Sequence, residues 1–192
     1  SIQNGKKEEH FFLPEQSLIY EVSTSQFEKS FTSEQLIEAS LQKPIESLAL
    51  DVLAKGKHKI VIISDDNTRP TPVSLILPYV LERLAIAGVQ TDEITILIAS
   101  GTHRPMTRKE MINKLGKKVV DSVTVVNHDY LDNENLVNAG TTNSGIPVTL
   151  NALAYAADLV IGIGNIVPHR FCGFSGGAKI IVPGISGAKT TA

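Results

Sequence analysis

Arg69, His103 and the neighbouring pair His169 and Lys179 come from three distant parts of the chain, yet each part follows the same kind of apolar run. KIVIIS (59–64) empties into DDNTRPTP, ITILIAS (94–100) into GTHRPMT, VTVVN (123–127) into HDYLDN, and DLVIGIG (158–164) into NIVPHRFCGFSGGAK. Two imidazoles in one cleft can carry protons in opposed roles, because each titrates near neutrality. The Arg69 guanidinium is a planar fork suited to a carboxylate or phosphate. Lys179 offers a point charge for a phosphate or, where desolvated, an amine able to anchor a ligand covalently. Ahead of it, GFSGGAK places three glycines in five positions, so the backbone can approach a ligand and its N–H groups can form an anion nest. The stretch does not spell the phosphate loop G-x-x-x-x-G-K-[ST]. Ala178 separates Gly177 from Lys179, and Ile180 stands where the hydroxyl belongs.

Something must bring these loops together. The four apolar runs are short and near-continuous, as in strands buried on both faces. Between them lie helical patterns: SLILPYVLERLAIAG closing on Gly88, residues 107–118, and IPVTLNALAYAA passing from a short strand into a helix. Before them, TSEQLIEASLQKP opens with a Thr32 or Ser33 cap and stops at Pro44, and ESLALDVLAKG ends on Gly56. Residues 10–24 read as one or two extended pieces broken by Pro14. Strands alternating with helices predict an α/β fold, a three-layer sandwich with a mostly parallel, Rossmann-like sheet, over residues 1–192 as one domain. In such a sheet the loops after the strands share one edge, where ligands bind. Asp65, Asp66, Asn67, Thr68, Arg69, His103, Arg104, His128, Asp129, His169, Arg170, Ser175 and Lys179 are therefore expected around one cleft.

Each motif alone has a plainer explanation. DDNTRP can be a turn held by its own side chains, GTHRP a helix entry, and His128-Asp129 the start of a loop. Cys172 reads as a small packing residue, and His10 and His58 sit in charge-rich surface stretches. Gly173, Ser175 and Gly177 resemble a G-x-S-x-G nucleophile elbow, but that elbow needs its serine directly after a strand. No acidic or cysteine pair has metal-ligand spacing. Four such loops at one edge are what point to a shared site. The bulk numbers fit a globular protein: 42% hydrophobic, 20% charged, net charge −2. That balance gives no electrostatic case for nucleic acid or an anionic membrane. One cysteine rules out an internal disulfide framework and fits a reducing compartment, so a cytoplasmic location is expected. No apolar run is long enough to span a bilayer.

DDNTRP, GTHRPMT and HRFCGFSGGAK followed by IIVPG occur together, in this order, and resemble the amino-terminal half of the nickel-pincer lactate racemase family along essentially the whole chain. The resemblance implies a racemase or epimerase of a 2-hydroxy acid, lactate or a relative. Its cofactor would be a nickel pyridinium-bis-thiocarboxylate mononucleotide, the nickel pincer. It implies catalytic roles for His103 and His169 and a covalent thioamide anchor at Lys179. Asp66, Asn67, Thr68 and Arg69 would hold cofactor or substrate anions, with Ser175, Gly176 and Gly177 lying against the cofactor. One histidine would remove the hydroxyl proton while hydrogen leaves carbon as hydride, giving a flat keto acid; the other histidine would serve the opposite enantiomer. The cofactor carries the hard chemistry and the protein orients it. The resemblance further implies a carboxyl-terminal domain beyond these residues, a nickel-binding histidine there instead of a metal ligand here, and cofactor-synthesis proteins as partners. These residues alone are then expected to bind no nickel and racemise nothing. Two departures bear on substrate: the family's GGRK reads GGAK, and PHR with Cys172 replaces more apolar residues, which suits a larger or more polar 2-hydroxy acid as well as lactate. Two other readings compete: a non-catalytic binding domain for a phosphorylated or carboxylated small molecule, and a metal-dependent hydrolase using His103, His169 and an acid such as Asp66.

Overall fold

A computed structural model of the 192-residue chain describes residues 2–4, 7–12, 14–17, 30–170 and 172–191. Two compact units emerge, Ser1–Thr32 and Ser33–Ala192. The first contains an antiparallel pair, β1 (Ile2–Asn4) and β2 (Lys7–Glu9), in register from Ile2 opposite Glu9. A 3-10 turn covers Glu15–Ser17, and the extended piece expected over 18–24 lies outside the described residues.

The second unit holds the strand–helix alternation. Helices α1 (Ser33–Gln42) and α2 (Leu50–Ala54) precede β3 (Ile60–Asp65) and α3 (Val73–Ile86). Then follow β4 (Ile94–Ala99), α4 (Arg108–Leu115), α5 (Lys117–Ser122) and β5 (Thr124–Asn127). The helix expected over 107–118 is thus two helices, parted at Gly116 with φ 92°. A hairpin, β6 (Leu136–Thr141) and β7 (Pro147–Asn151), leads into α6 (Ala152–Tyr155) and β8 (Leu159–Ile163). Two-residue strands β9 (Pro168–His169) and β10 (Gly173–Phe174) pair with each other before α7 (Ala188–Thr191).

The central sheet is four-stranded and parallel, in the order β5-β4-β3-β8. Its register sets the site: Asp65 lies opposite Ala99, Ser64 opposite Ile163, and Ile98 opposite Asn127. The four carboxyl ends, and the loops leaving them, therefore share one edge. Alternation along the strands builds two cores. Ile60, Ile62, Ile96 and Ile98 pack on one face with Val73, Leu77, Leu84 and Leu115 of the helices. Val61, Ile63 and Leu97 pack on the other with Ala154 and Ile185. This is the expected three-layer α/β sandwich. The run at 158–164 departs from the expectation of burial on both faces: β8 is an edge strand, and its Val160 is 40% exposed. Among the described residues no helix is long and apolar enough to cross a membrane.

Candidate active site

A cavity of about 430 Å³ opens at the carboxyl edge of the sheet. Asp65, Asp66 and Arg69 line it from the loop after β3, Ser100 and His103 from the loop after β4, and His169, Cys172, Ser175, Gly176 and Lys179 from the segment after β8. This volume lies in the range of small-molecule sites.

The β3 loop is fastened from below. Lys114 on α4 is buried; its Nζ stands 2.8 Å from Asp65 Oδ1 and donates to the carbonyls of Arg69 (2.8 Å) and Thr71 (3.3 Å). Two ammonium hydrogens go to carbonyls and the charge pairs with Asp65, while the Thr71 hydroxyl donates to Asp65 Oδ2. A second carboxylate joins two site loops. Glu110, three residues into α4, receives both terminal nitrogens of Arg104, the Asn67 amide (3.2 Å) and the Thr107 N–H (2.8 Å). The Arg104 guanidinium, followed by the Thr107 bonds, holds Glu110 down to about 2.

Asp66 is the buried partner of His103. Its carboxylate Oδ2 lies 2.6 Å from His103 Nδ1, and its side chain is 4% exposed against 51% for the imidazole. Burial pushes the Asp66 carboxyl up, but the Thr68 hydroxyl and His103 outweigh it and hold it below the ordinary aspartate value. An ionised carboxylate only accepts, so His103 carries hydrogen on Nδ1, and the lone pair of its neutral form is on Nε2. His169 sits differently. Its Nδ1 accepts the Cys172 N–H at 3.4 Å, which places the ring hydrogen of the neutral form on Nε2. Desolvation, then the charges of Lys179, Arg69 and Arg170, lowers its pKa below 6.5. Titration of the His169 ring by NMR is expected to show a midpoint below 6.5, moving upward in Lys179→Met as one repelling charge is lost. An unmoved midpoint would mean that the lysine does not face the ring.

The segment after β8 depends on glycine at two points. Gly176 has φ 76°, and a Cβ there would lie 2.9 Å from the Asn165 carbonyl oxygen. At Gly184 a Cβ would come within 2.0 Å of the Ile180 carbonyl oxygen. Gly184 also accepts the Gly101 N–H at 3.0 Å, tying this segment to the β4 loop. Lys179 follows, half-buried, and among the described residues no side chain or carbonyl engages its amine.

Of the residues singled out from sequence, Asp65, Asp66, Arg69, His103, His169, Arg170, Ser175, Gly176 and Lys179 meet in this cavity. Asn67, Thr68 and Gly177 stand outside its lining. Thr68 instead donates its N–H and hydroxyl to Asp66 Oδ1. The Ser175 hydroxyl is spent inside its own loop, donating to the Asn165 carbonyl at 2.6 Å. Arg104, His128 and Asp129 surround a second hollow of about 310 Å³ that His103 also borders. His128 is a buried core histidine between the Ser186 carbonyl and the Asn151 amide, its pKa lowered by burial. Cys172, expected to be a packing residue, is instead exposed and lines the cavity. Among the described residues no three His, Cys, Asp or Glu side chains converge as a metal would require, so the His103–His169–Asp66 hydrolase centre does not assemble. Sequence reasoning missed Lys114 and Ser100. Lys114 had a signal: it falls three residues after Met111 and one before Leu115, on the apolar face of α4.

A parallel α/β sandwich with a cavity at its strand ends, lined by two histidines, Arg69 and Lys179, is an architecture of the doubly wound type. The chain belongs to the lactate racemase N-terminal domain family, whose profile it matches over residues 4–192. It is 42% identical over 164 residues to a lactate racemase of Lactiplantibacillus plantarum, covering 85% of this chain and 38% of that protein. It is 37% identical over 190 residues to one of Thermoanaerobacterium thermosaccharolyticum, covering 98% and 44%. The lactate racemase apoprotein structure from T. thermosaccharolyticum superposes with a TM-score of 0.76 at 41% identity, over 82% of this chain and 38% of that one. A Thermotoga maritima structure gives 0.69 at 29% identity, over 83% and 40%. The chain thus spans about two fifths of the length of the lactate racemases it matches.

Proposed function

We propose that this chain is the amino-terminal, ligand-gripping part of a nickel-pincer-dependent racemase or epimerase of a 2-hydroxy acid, lactate or a relative. The observation that carries the reading is the meeting of His103, His169, Arg69 and Lys179 on one cavity wall from three separate loops. The likeness in sequence and fold to lactate racemases supports the substrate class.

The residues present suit a flat, phosphorylated cofactor. The cavity holds a small molecule, Lys179 and Arg69 supply positive charge, and the absent Gly176 side chain lets the loop fold tightly at the wall. When bound, the nickel-pincer nucleotide would supply a hydride acceptor, and Lys179 would hold it through the amine. Arg69 pairs with the substrate carboxylate and fixes the carbon that reacts. His103, oriented by Asp66, takes the hydroxyl proton at Nε2 as carbon becomes a flat carbonyl centre. His169, once protonated to the imidazolium, would return a proton to the oxygen and be left a neutral ring when the opposite enantiomer forms. In the reverse direction the two exchange roles. A carboxyl-terminal part would supply the nickel-binding histidine, cofactor-synthesis proteins would load the group, and the whole would work in the cytoplasm.

The test is the full-length protein, matured with those synthesis proteins and given single enantiomers of lactate and of larger 2-hydroxy acids. Appearance of the opposite enantiomer on a chiral column is the expected result. Reversible anion binding without turnover would instead make the domain a non-catalytic binding module.

A further inference from the structure

Ser100 carries a hydroxyl that nothing among the described residues answers. It follows the last residue of β4, is 2% exposed and lines the cavity between the Asp66 and His103 loops. Its Oγ has no hydrogen-bond partner among the described residues. The backbone around it is fully engaged and holds the side chain in place. Its N–H donates to the Ile98 carbonyl (3.0 Å), its carbonyl accepts the His103 N–H (2.9 Å), and the Gly101 N–H is tied to Gly184. Of the neighbouring carboxylates, Asp66 is taken by Thr68 and His103 and Asp65 Oδ2 by the Thr71 hydroxyl, while Asp65 Oδ1 is ion-paired with Lys114 and accepts no hydrogen bond among the described residues.

A buried hydroxyl without a partner costs stability, and alanine would fill nearly the same volume at no such cost. The group is explained by a partner that the cavity receives from outside. Arg69 and Lys179 on the same walls select a negatively charged one. We infer that Ser100 is a ligand-binding residue whose hydroxyl donates a hydrogen bond to an oxygen of the anionic group, carboxylate or phosphate, of the small molecule filling this cavity. The inference rests on the reading of the cavity as an anion site given above.

The experiment compares this chain with Ser100→Ala, each titrated with L-lactate and with inorganic phosphate by NMR, and melted without ligand. The variant is expected to melt no lower than the wild type and to bind one of the anions about tenfold more weakly, or worse, as the loss of a charge-assisted hydrogen bond requires. Weakening in the lactate arm assigns the contact to a carboxylate; weakening in the phosphate arm assigns it to a phosphate. Equal affinities in wild type and variant overturn the role of Ser100 while leaving the cavity an anion site. A melting point several degrees lower in the variant also overturns it, since the hydroxyl would then have an internal partner. A wild type that binds neither anion overturns both this inference and the reading beneath it.

Discussion

Alanine at His103 or at His169 in the matured full-length protein is expected to lower racemisation by about 10²–10⁴-fold while leaving substrate binding nearly intact. In the proposed reaction each ring removes or supplies one proton at the hydroxyl oxygen and both faces must be served, so neither ring can stand in for the other. Substrate binding in that proposal comes from charge pairing with Arg69, a cavity-lining residue that both variants keep. The loss should therefore fall on kcat far more than on KM. Asp66→Asn gives a sharper diagnosis. An amide can donate to Nδ1, turning the His103 hydrogen to Nε2 and removing the lone pair there. That variant should lose activity without losing the ring, and its defect should not add to that of His103→Ala. Activity within threefold of wild type in either histidine variant would remove that ring from the reaction.

The second large effect is on stability. Lys114→Met removes the cation that holds Asp65 and the Arg69 and Thr71 carbonyls, leaving a nearly buried carboxylate unpaired. Lys114 is 6% exposed and Asp65 13% at their side chains, so solvent screens the pair little. Breaking one half of such a pair costs about 3–5 kcal/mol, readable as a lower urea midpoint for this chain. The surviving folded population should also bind anions more weakly, because the loop that presents Arg69 has lost its anchor. A change under about 1 kcal/mol would show that the Asp65 carboxylate finds water or another donor, and that Lys114 does not fasten the site.

Sequence made the sheet legible because both periodicities were clean. Ile60, Ile62, Ile96 and Ile98 alternate with Val61, Ile63 and Leu97, and all are buried. From the succession of strands and helices came the expectation of a parallel sheet, and from the parallel sheet the shared edge that gathers Arg69, His103, His169 and Lys179; the strand order itself is seen only in the structure. Less legible were features that depend on who neighbours whom. Val160 looks as apolar as Val61, but only the strand order places it at an edge. The β6–β7 hairpin went unread in its first strand because LVNAGT is half polar and mostly exposed. Ser175 lined the cavity as expected, yet its hydroxyl closes its own loop, a detail set by the path from Asn165 to Val167. Lys114 and Ser100 were hidden for one reason: a polar residue amid apolar ones shows its role only when its partners, or the lack of them, are seen.

The measurement that bears most directly on the proposed chemistry is peptide mass mapping of the full-length protein after maturation with its cofactor-synthesis partners. The peptide holding Lys179 should carry the mass of the nickel-pincer nucleotide, and Lys179→Ala should lack both the added mass and the racemase activity. A protein that racemises a 2-hydroxy acid with Lys179 unmodified, or with the added mass on another residue, would contradict the account.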